Sequence, residues 1–123
     1  MVNKKENVWD FPRPAICEPF NGRLEVVVSG KVIAKTDRGF RSLETSHPPS
    51  YYIPPDDIKM DDLLYNQLVT LCEGKGKASY FNFEGGDSSI TDIAWTYTDP
   101  TLTFREIKNY LSFYASKVDA CYV

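Results

Sequence analysis

The chain has 123 residues, a net charge of −3, three cysteines and an aromatic content of 8 Tyr, 7 Phe and 2 Trp. This length fits a single domain over 1–123 with one core, residues 1–12 forming a loosely ordered arm. The acidic balance gives no attractive field for a nucleic-acid backbone or an anionic membrane surface, and no apolar run reaches membrane-spanning length, so neither is an expected partner.

The start, MVNKKENVWDFPRP, has basic residues but no apolar run behind them, which is not the pattern of a secretory signal. LEVVVSGKVIAKT (24–36) is two β-branched runs around Ser29-Gly30, a two-residue connection of the kind that closes a hairpin. FRSLET (40–45) predicts a third strand. In SHPP each proline fixes φ and disfavours helix in the residue before it, which predicts a turn, and SYYI (50–53) returns as strand. PPDDIKMDDLL reads as loop with a helical turn. LVTLC (68–72), ASYFNFE (78–84) and ITDIAWTY (90–97) follow as strands separated by the turns GKGK and GGDSS.

After Asp99-Pro100 the period changes. Phe104, Ile107, Leu111 and Tyr114 fall at spacings of three and four, and Thr103 with Glu106 matches a capping box, so the pattern predicts one helix over 103–117. The closing KVDACYV reads either as a short added strand or as a truncated element. Cys17, Cys72 and Cys121 are widely spaced and odd in number, which fits a reducing compartment and a cytoplasmic protein better than a disulfide framework. The expected class is mainly β with one C-terminal helix.

The order and spacing of LETSHPPSYYIP, CEGKGKASYF, DIAWTYTDP and IKNYLSFYASKVD resemble the domain of unknown function 427 family, from about residue 12 to the end. The matching positions are Glu44, Pro48, Pro49, Tyr52, Cys72, Lys75, Gly76, Ala78, Tyr80, Asp92, Ala94 and Trp95. The family usually has a proline and an aromatic after the cysteine, where Glu73 and Gly74 stand here. The resemblance implies a β-tent-like arrangement, two antiparallel sheets meeting at an angle, similar to methionine sulfoxide reductase B, Yippee proteins and the thalidomide-binding domain of cereblon. Many of those hold zinc on two C-x-x-C pairs. This chain has no such pair, so no metal and no cofactor are expected.

Six residues are candidates for a pocket. Glu44, at a strand end before the proline corner, is read either as a general acid/base or ligand anchor, or as a structural carboxylate tying down the turn's amides. Cys72 beside Lys75 is read either as a nucleophile or as a small buried hydrophobe at a strand end. Lys75 between Gly74 and Gly76 invites a phosphate reading, but Leu71 and Ala78 stand where a Walker loop needs Gly and Ser/Thr. Tyr52, Tyr80 and Trp95 are the expected aromatic wall, and period two places Trp95 with Ile93 and Tyr97 on one face and Asp92 with Ala94 on the other. His47 has no second metal-type residue beside it and is read as an exposed turn position. Asp56, Asp57, Asp61 and Asp62 read as a solvated loop rather than nucleotidyltransferase carboxylates.

Three functions follow. The domain binds or acts on a small metabolite, with Glu44, Cys72 and Lys75 as the chemical groups and Tyr52, Tyr80 and Trp95 as the wall. It is a noncatalytic ligand- or peptide-binding module. It is a nucleotide-handling enzyme, as the nucleotidyltransferase-type label of the resembled family implies. The expected state is a monomer or weak homodimer, with the hairpin at 24–36 as the edge available for pairing.

Overall fold

The computed structural model describes residues 7–10, 15–44, 47–72 and 74–123, with the side chain of His47 outside the described set. Among the described residues there are ten strands: β1 (Ile16–Pro19), β2 (Leu24–Val28), β3 (Lys31–Thr36), β4 (Phe40–Glu44), β5 (His47–Tyr52), β6 (Leu63–Cys72), β7 (Gly76–Gly85), β8 (Ser88–Pro100), β9 (Leu111–Phe113) and β10 (Ala120–Tyr122). They form three antiparallel sheets, ordered β1-β4-β5, β10-β2-β3 and β6-β7-β8-β9. Of the expected N-terminal arm, 1–6 and 11–12 lie outside the described residues, and Val8–Asp10 is one 3-10 turn. No helix among the described residues is long and apolar enough to cross a membrane.

The expected hairpin is present. Ser29 (φ 51°) and Gly30 (φ 76°) both occupy the left-handed region, which lets a two-residue turn follow the twist of β2 and β3. The closing KVDACYV forms β10, which pairs with β2, so β2 is interior and β3 is an outer strand of that sheet. The 55–62 segment holds two 3-10 turns, Pro55–Asp57 and Met60–Asp62.

Three expectations are corrected. His47, Pro48 and Pro49 are not a turn but the first residues of β5, with His47 paired to Glu44; a proline fits a strand where its missing N–H is not needed by the ladder. The intervening 45–46 lie outside the described residues. The helix expected over 103–117 is instead a 3-10 segment, Leu102–Ile107, followed by β9. Asn109 at φ 65° ends the helical path, and Leu111 then exchanges both backbone hydrogen bonds with Ile53 at 2.8 and 2.9 Å. The spacing of Phe104, Ile107 and Leu111 reflects burial on a tight 3-10 turn and then on a strand, which a helical period imitates. The capping box does not form: Thr101 precedes the segment, and its hydroxyl donates to the Gly74 carbonyl rather than capping the helix.

Backbone hydrogen bonding joins two of the sheets, because the Ile53–Leu111 bridge links β5 to β9. Three hydrogen-bonded sheets replace the two expected. One core packs Leu24, Val26, Val28, Ile33 and Ala34 of the β10-β2-β3 sheet against Tyr51, Phe81, Phe83, Ala94 and Phe113. A second packs Tyr52, Ala78, Tyr80 and Tyr97 under Phe104 and Ile107. Tyr51 and Tyr52, like Tyr80 and Phe81, are strand neighbours that point to opposite faces, so the linked sheets carry one core on each side.

Candidate functional site

The second core is the candidate site. Cross-strand register creates it: Ala78 lies opposite Tyr97 and Tyr80 opposite Trp95 on β7 and β8, while Phe40 lies opposite Tyr52 on β4 and β5. Trp95 and Tyr97 therefore share a face, as period two requires. Ile93 does not share it, contrary to the alternation. Asp92 sits at φ 54° within a register shift between Phe81 and Phe83, and this irregularity turns Ile93 into the first core, where it is fully buried. Asp92 is held in that backbone by Asn82 Oδ1, which accepts from its N–H at 3.0 Å, while Asn66 Nδ2 donates to both Asn82 Oδ1 and Asp92 Oδ1 at 2.7 and 2.6 Å.

Tyrosine hydroxyls give this core its polarity. The Tyr80 hydroxyl pairs with Thr70 Oγ1 at 2.8 Å. Trp95 packs on Tyr114 with ring centroids 4.5 Å apart. Burial pushes the Tyr114 phenol up to about 12, with its hydrogen bond to Tyr80 adding to the shift. Tyr52 has no exposed surface, and burial raises its phenol to about 12 against the opposing pull of Ser42. Tyr97 is raised further by burial, with Tyr52 the next cause.

Lys75 stands at the other end. Gly76, at φ 119°, lets the chain turn there against β8, where a Cβ would lie 2.9 Å from the Asp99 carbonyl oxygen. The turn is tied down by Lys75 N–H to the Cys72 carbonyl at 3.2 Å and by Thr101 N–H to the Lys75 carbonyl at 2.9 Å. The Lys75 ammonium then donates to Ser42 Oγ at 3.3 Å and rests 5.5 Å from the Phe104 ring centroid. Ser42 Oγ is 3.5 Å from the Tyr52 hydroxyl, the outer limit of a hydrogen bond. Lys75 makes no ion pair with a carboxylate among the described residues. Cys17, directly across from Ser42 on β1, packs on the same cluster, and its thiol is raised to about 11, mainly by burial and then by Glu106, with Lys75 opposing.

Of the six residues singled out from sequence, Tyr52, Tyr80, Trp95 and Cys72 belong to this cluster, and Lys75 reaches its margin through Phe104 and Ser42. Glu44 is placed by register alone: it lies two positions beyond Ser42 on β4, half-buried, across a register shift, and is engaged by a neighbour of its own. The proline corner meets the aromatic residues in a second way. Pro48, Pro49, Trp95 and Tyr114 are among the residues around a hollow of about 160 Å3 at the β5–β9 seam. Sequence reading did not place Cys17, Ser42, Tyr114 or Phe104 at the site. Cys17 and Ser42 meet only through cross-strand register, which no local pattern contains, and Phe104 and Tyr114 were read as one stripe of a helix.

Among the described residues, no group of three or more His, Cys, Asp or Glu is gathered to hold a metal ion. The acidic 55–62 segment lies beside the other core, where Asp57 accepts from Thr36 Oγ1 at 2.6 Å and from Arg38 at 3.1 Å. All three cysteines are free. A search of curated proteins found no significant match. The sequence profile of the family described as Domain of unknown function (DUF427), which carries a nucleotidyltransferase-type label, matches residues 16–123, and the chain belongs to that family.

Proposed function

We propose that this domain binds a small anionic metabolite at the margin of its aromatic core, with Lys75 as the charge anchor and the half-buried Trp95 and Tyr114 as the accessible wall over the buried Tyr52 and Tyr80. The observation that carries this reading is the half-buried Lys75 ammonium, which rests on a ring and a hydroxyl and is not neutralised by a carboxylate among the described residues. An ammonium in that setting gains from a ligand carboxylate or phosphate, and an aromatic wall supplies area at low entropic cost. Glu44, two positions beyond Ser42 on β4, already has a neighbour of its own, so it would meet a ligand N–H or hydroxyl only by exchanging that contact.

Burial raises the Cys17 thiol beside this site to about 11, so that group holds its proton at neutral pH. Groups in that state donate hydrogen bonds and are poor nucleophiles. The nucleotide-handling reading draws on the family label alone.

Titration of the protein with a panel of small carboxylates, phosphate esters and magnesium nucleotides, followed by NMR, tests the proposal. Shifts of the Lys75, Phe104 and Trp95 resonances should appear with one anionic class. Lys75→Met should weaken that binding by roughly ten- to a hundredfold, the value of a hydrogen bond to a charged group. Binding that survives Lys75→Met, or that centres on the acidic 55–62 turns with magnesium, would sink the reading.

A further inference from the structure

Five large apolar side chains stand exposed on one strand: on β6, Leu64 is 54%, Tyr65 62%, Leu68 43%, Val69 57% and Leu71 72% exposed. β6 ends its sheet, and its outer edge has no strand partner among the described residues. Its sequence, LLYNQLVTLC, contains no charge and no proline, the usual protections of an edge. β3, an edge of another sheet, carries Lys31 and Lys35. The one irregularity in β6, a register shift between Tyr65 and Val69, satisfies its polar groups inward: Asn66 bonds to Asn82 and Asp92, and its Oδ1 accepts from Leu68 N–H at 2.8 Å.

We propose that β6 is the surface on which two copies of this chain pair, antiparallel about a twofold axis. Antiparallel self-pairing uses the same patch twice, so its charges must be complementary to themselves. They are. Asp61 and Asp62 immediately precede β6, and Lys77 lies directly across from Leu71 at its far end, so each copy sets its acidic end beside the other's lysine. By register these side chains stand on both faces of the strand, Leu64 on one and Tyr65, Val69 and Leu71 on the other, so edge pairing covers their flanks and buries less than the roughly 800 Å2 per partner of a standard interface; backbone pairing and the flanking charges complete a contact of modest affinity. An unrelated extended peptide would find the edge but not the reciprocal charges.

Sedimentation velocity of the full chain over a roughly thousandfold concentration range tests this, since mass action makes a dimer concentration-dependent. The wild type should pass from monomer to dimer, and the amides of Val69–Cys72 should gain hydrogen-exchange protection as it does. Val69→Lys with Leu71→Lys should remain monomeric at the highest concentration; both positions are exposed, and unchanged thermal unfolding at high dilution would show that the fold is intact. Lys77→Glu should weaken the dimer, and adding Asp61→Lys should restore it. A wild type that stays monomeric throughout, or a dimer that survives the two lysines, would overturn the proposal.

Discussion

The two cores lie on opposite faces of the same linked sheets, yet they are built differently. On one face Leu24, Val26, Val28 and Ile33 of a separate sheet close over Phe81, Phe83, Ile93 and Phe113, so the apolar surface is covered from both sides. On the other, Tyr52, Tyr80 and Tyr97 carry hydroxyls, Cys17, Cys72 and Lys75 stand at the margin, and the cover is the short Leu102–Ile107 segment. The first arrangement maximises burial and leaves no group free for chemistry. The second retains hydrogen-bonding groups among rings. The linked sheets thus separate a sealed apolar core from one that keeps polar groups, and substitutions should divide the same way.

The largest effect should come from the sealed core. Ile93 is fully buried, so Ile93→Ala removes packed methylenes and leaves a cavity, at a cost of about 2–5 kcal/mol. Thermal unfolding should fall by roughly ten degrees or more. The metabolite binding proposed at Lys75, measured well below that midpoint, should be unchanged. A binding loss without a stability loss would break the division between the faces.

The next effect belongs to the aromatic side and depends on pH. Tyr52 is neutral in the fold, and its phenol is raised to about 12 from the ordinary 10, mainly by burial. A raised pKa means that the stabilisation is fully present below pH 10 and is lost as pH climbs from 10 through 12. For this buried phenol the loss is on the order of 2–3 kcal/mol. The chain has eight tyrosines, so the phenolate absorbance of this ring is read as the difference between the wild type and Tyr52→Phe, and that difference should grow only as the circular dichroism of the wild type is lost. Tyr52→Phe has no proton to lose and should stay folded to higher pH, whereas a difference absorbance that rises at pH 10 with the fold intact would show that the ring is not sealed.

A smaller effect is expected at Glu44. If its carboxylate serves the ligand, Glu44→Gln should keep the melting temperature and lose affinity. If it ties down the corner before β5, the same change should lower the melting temperature by several degrees, the shift expected for about 1 kcal/mol. Calorimetry and binding on one variant separate the two.

Much of this division was legible in the sequence and some was not. The β-branched runs around Ser29-Gly30 and the pair Tyr51-Tyr52 are local patterns, and local patterns fix strand faces. Tyr97 was visible too, because period two from Trp95 reaches it without tertiary information. Ile93 was misplaced by the same rule, since nothing local announces that Asp92 adopts φ 54° to satisfy Asn82. Cys17 and Ser42 meet only because β1 pairs with β4, a contact 25 residues apart in sequence. The stretch after Pro100 was misread because Leu111 takes its backbone partners from Ile53 and Thr96, and tertiary pairing outweighed a helical period.

The smallest prediction concerns how firmly the aromatic side is closed. Thr101 ties the start of the covering segment to the lysine turn twice, by its N–H to the Lys75 carbonyl and by its hydroxyl to the Gly74 carbonyl at 2.7 Å. The first bond is backbone and survives any substitution except proline. The second is lost in Thr101→Val, which keeps the β-branched shape but removes the donor. The Gly74 carbonyl is on an exposed turn, so water replaces the hydroxyl and the cost should fall at or below the low end of the usual range, about 0.5 kcal/mol. Global stability should scarcely move. The segment's own opening should become more frequent, because one of its two ties to the turn is gone, and this is read in the exchange of the Phe104 N–H, which bonds to the Thr101 carbonyl at 2.9 Å. Faster exchange there, with amides of the sealed core such as Phe83 unaffected, would show that the aromatic core opens on its own. Equal acceleration in both cores would mean that the two faces unfold as one unit.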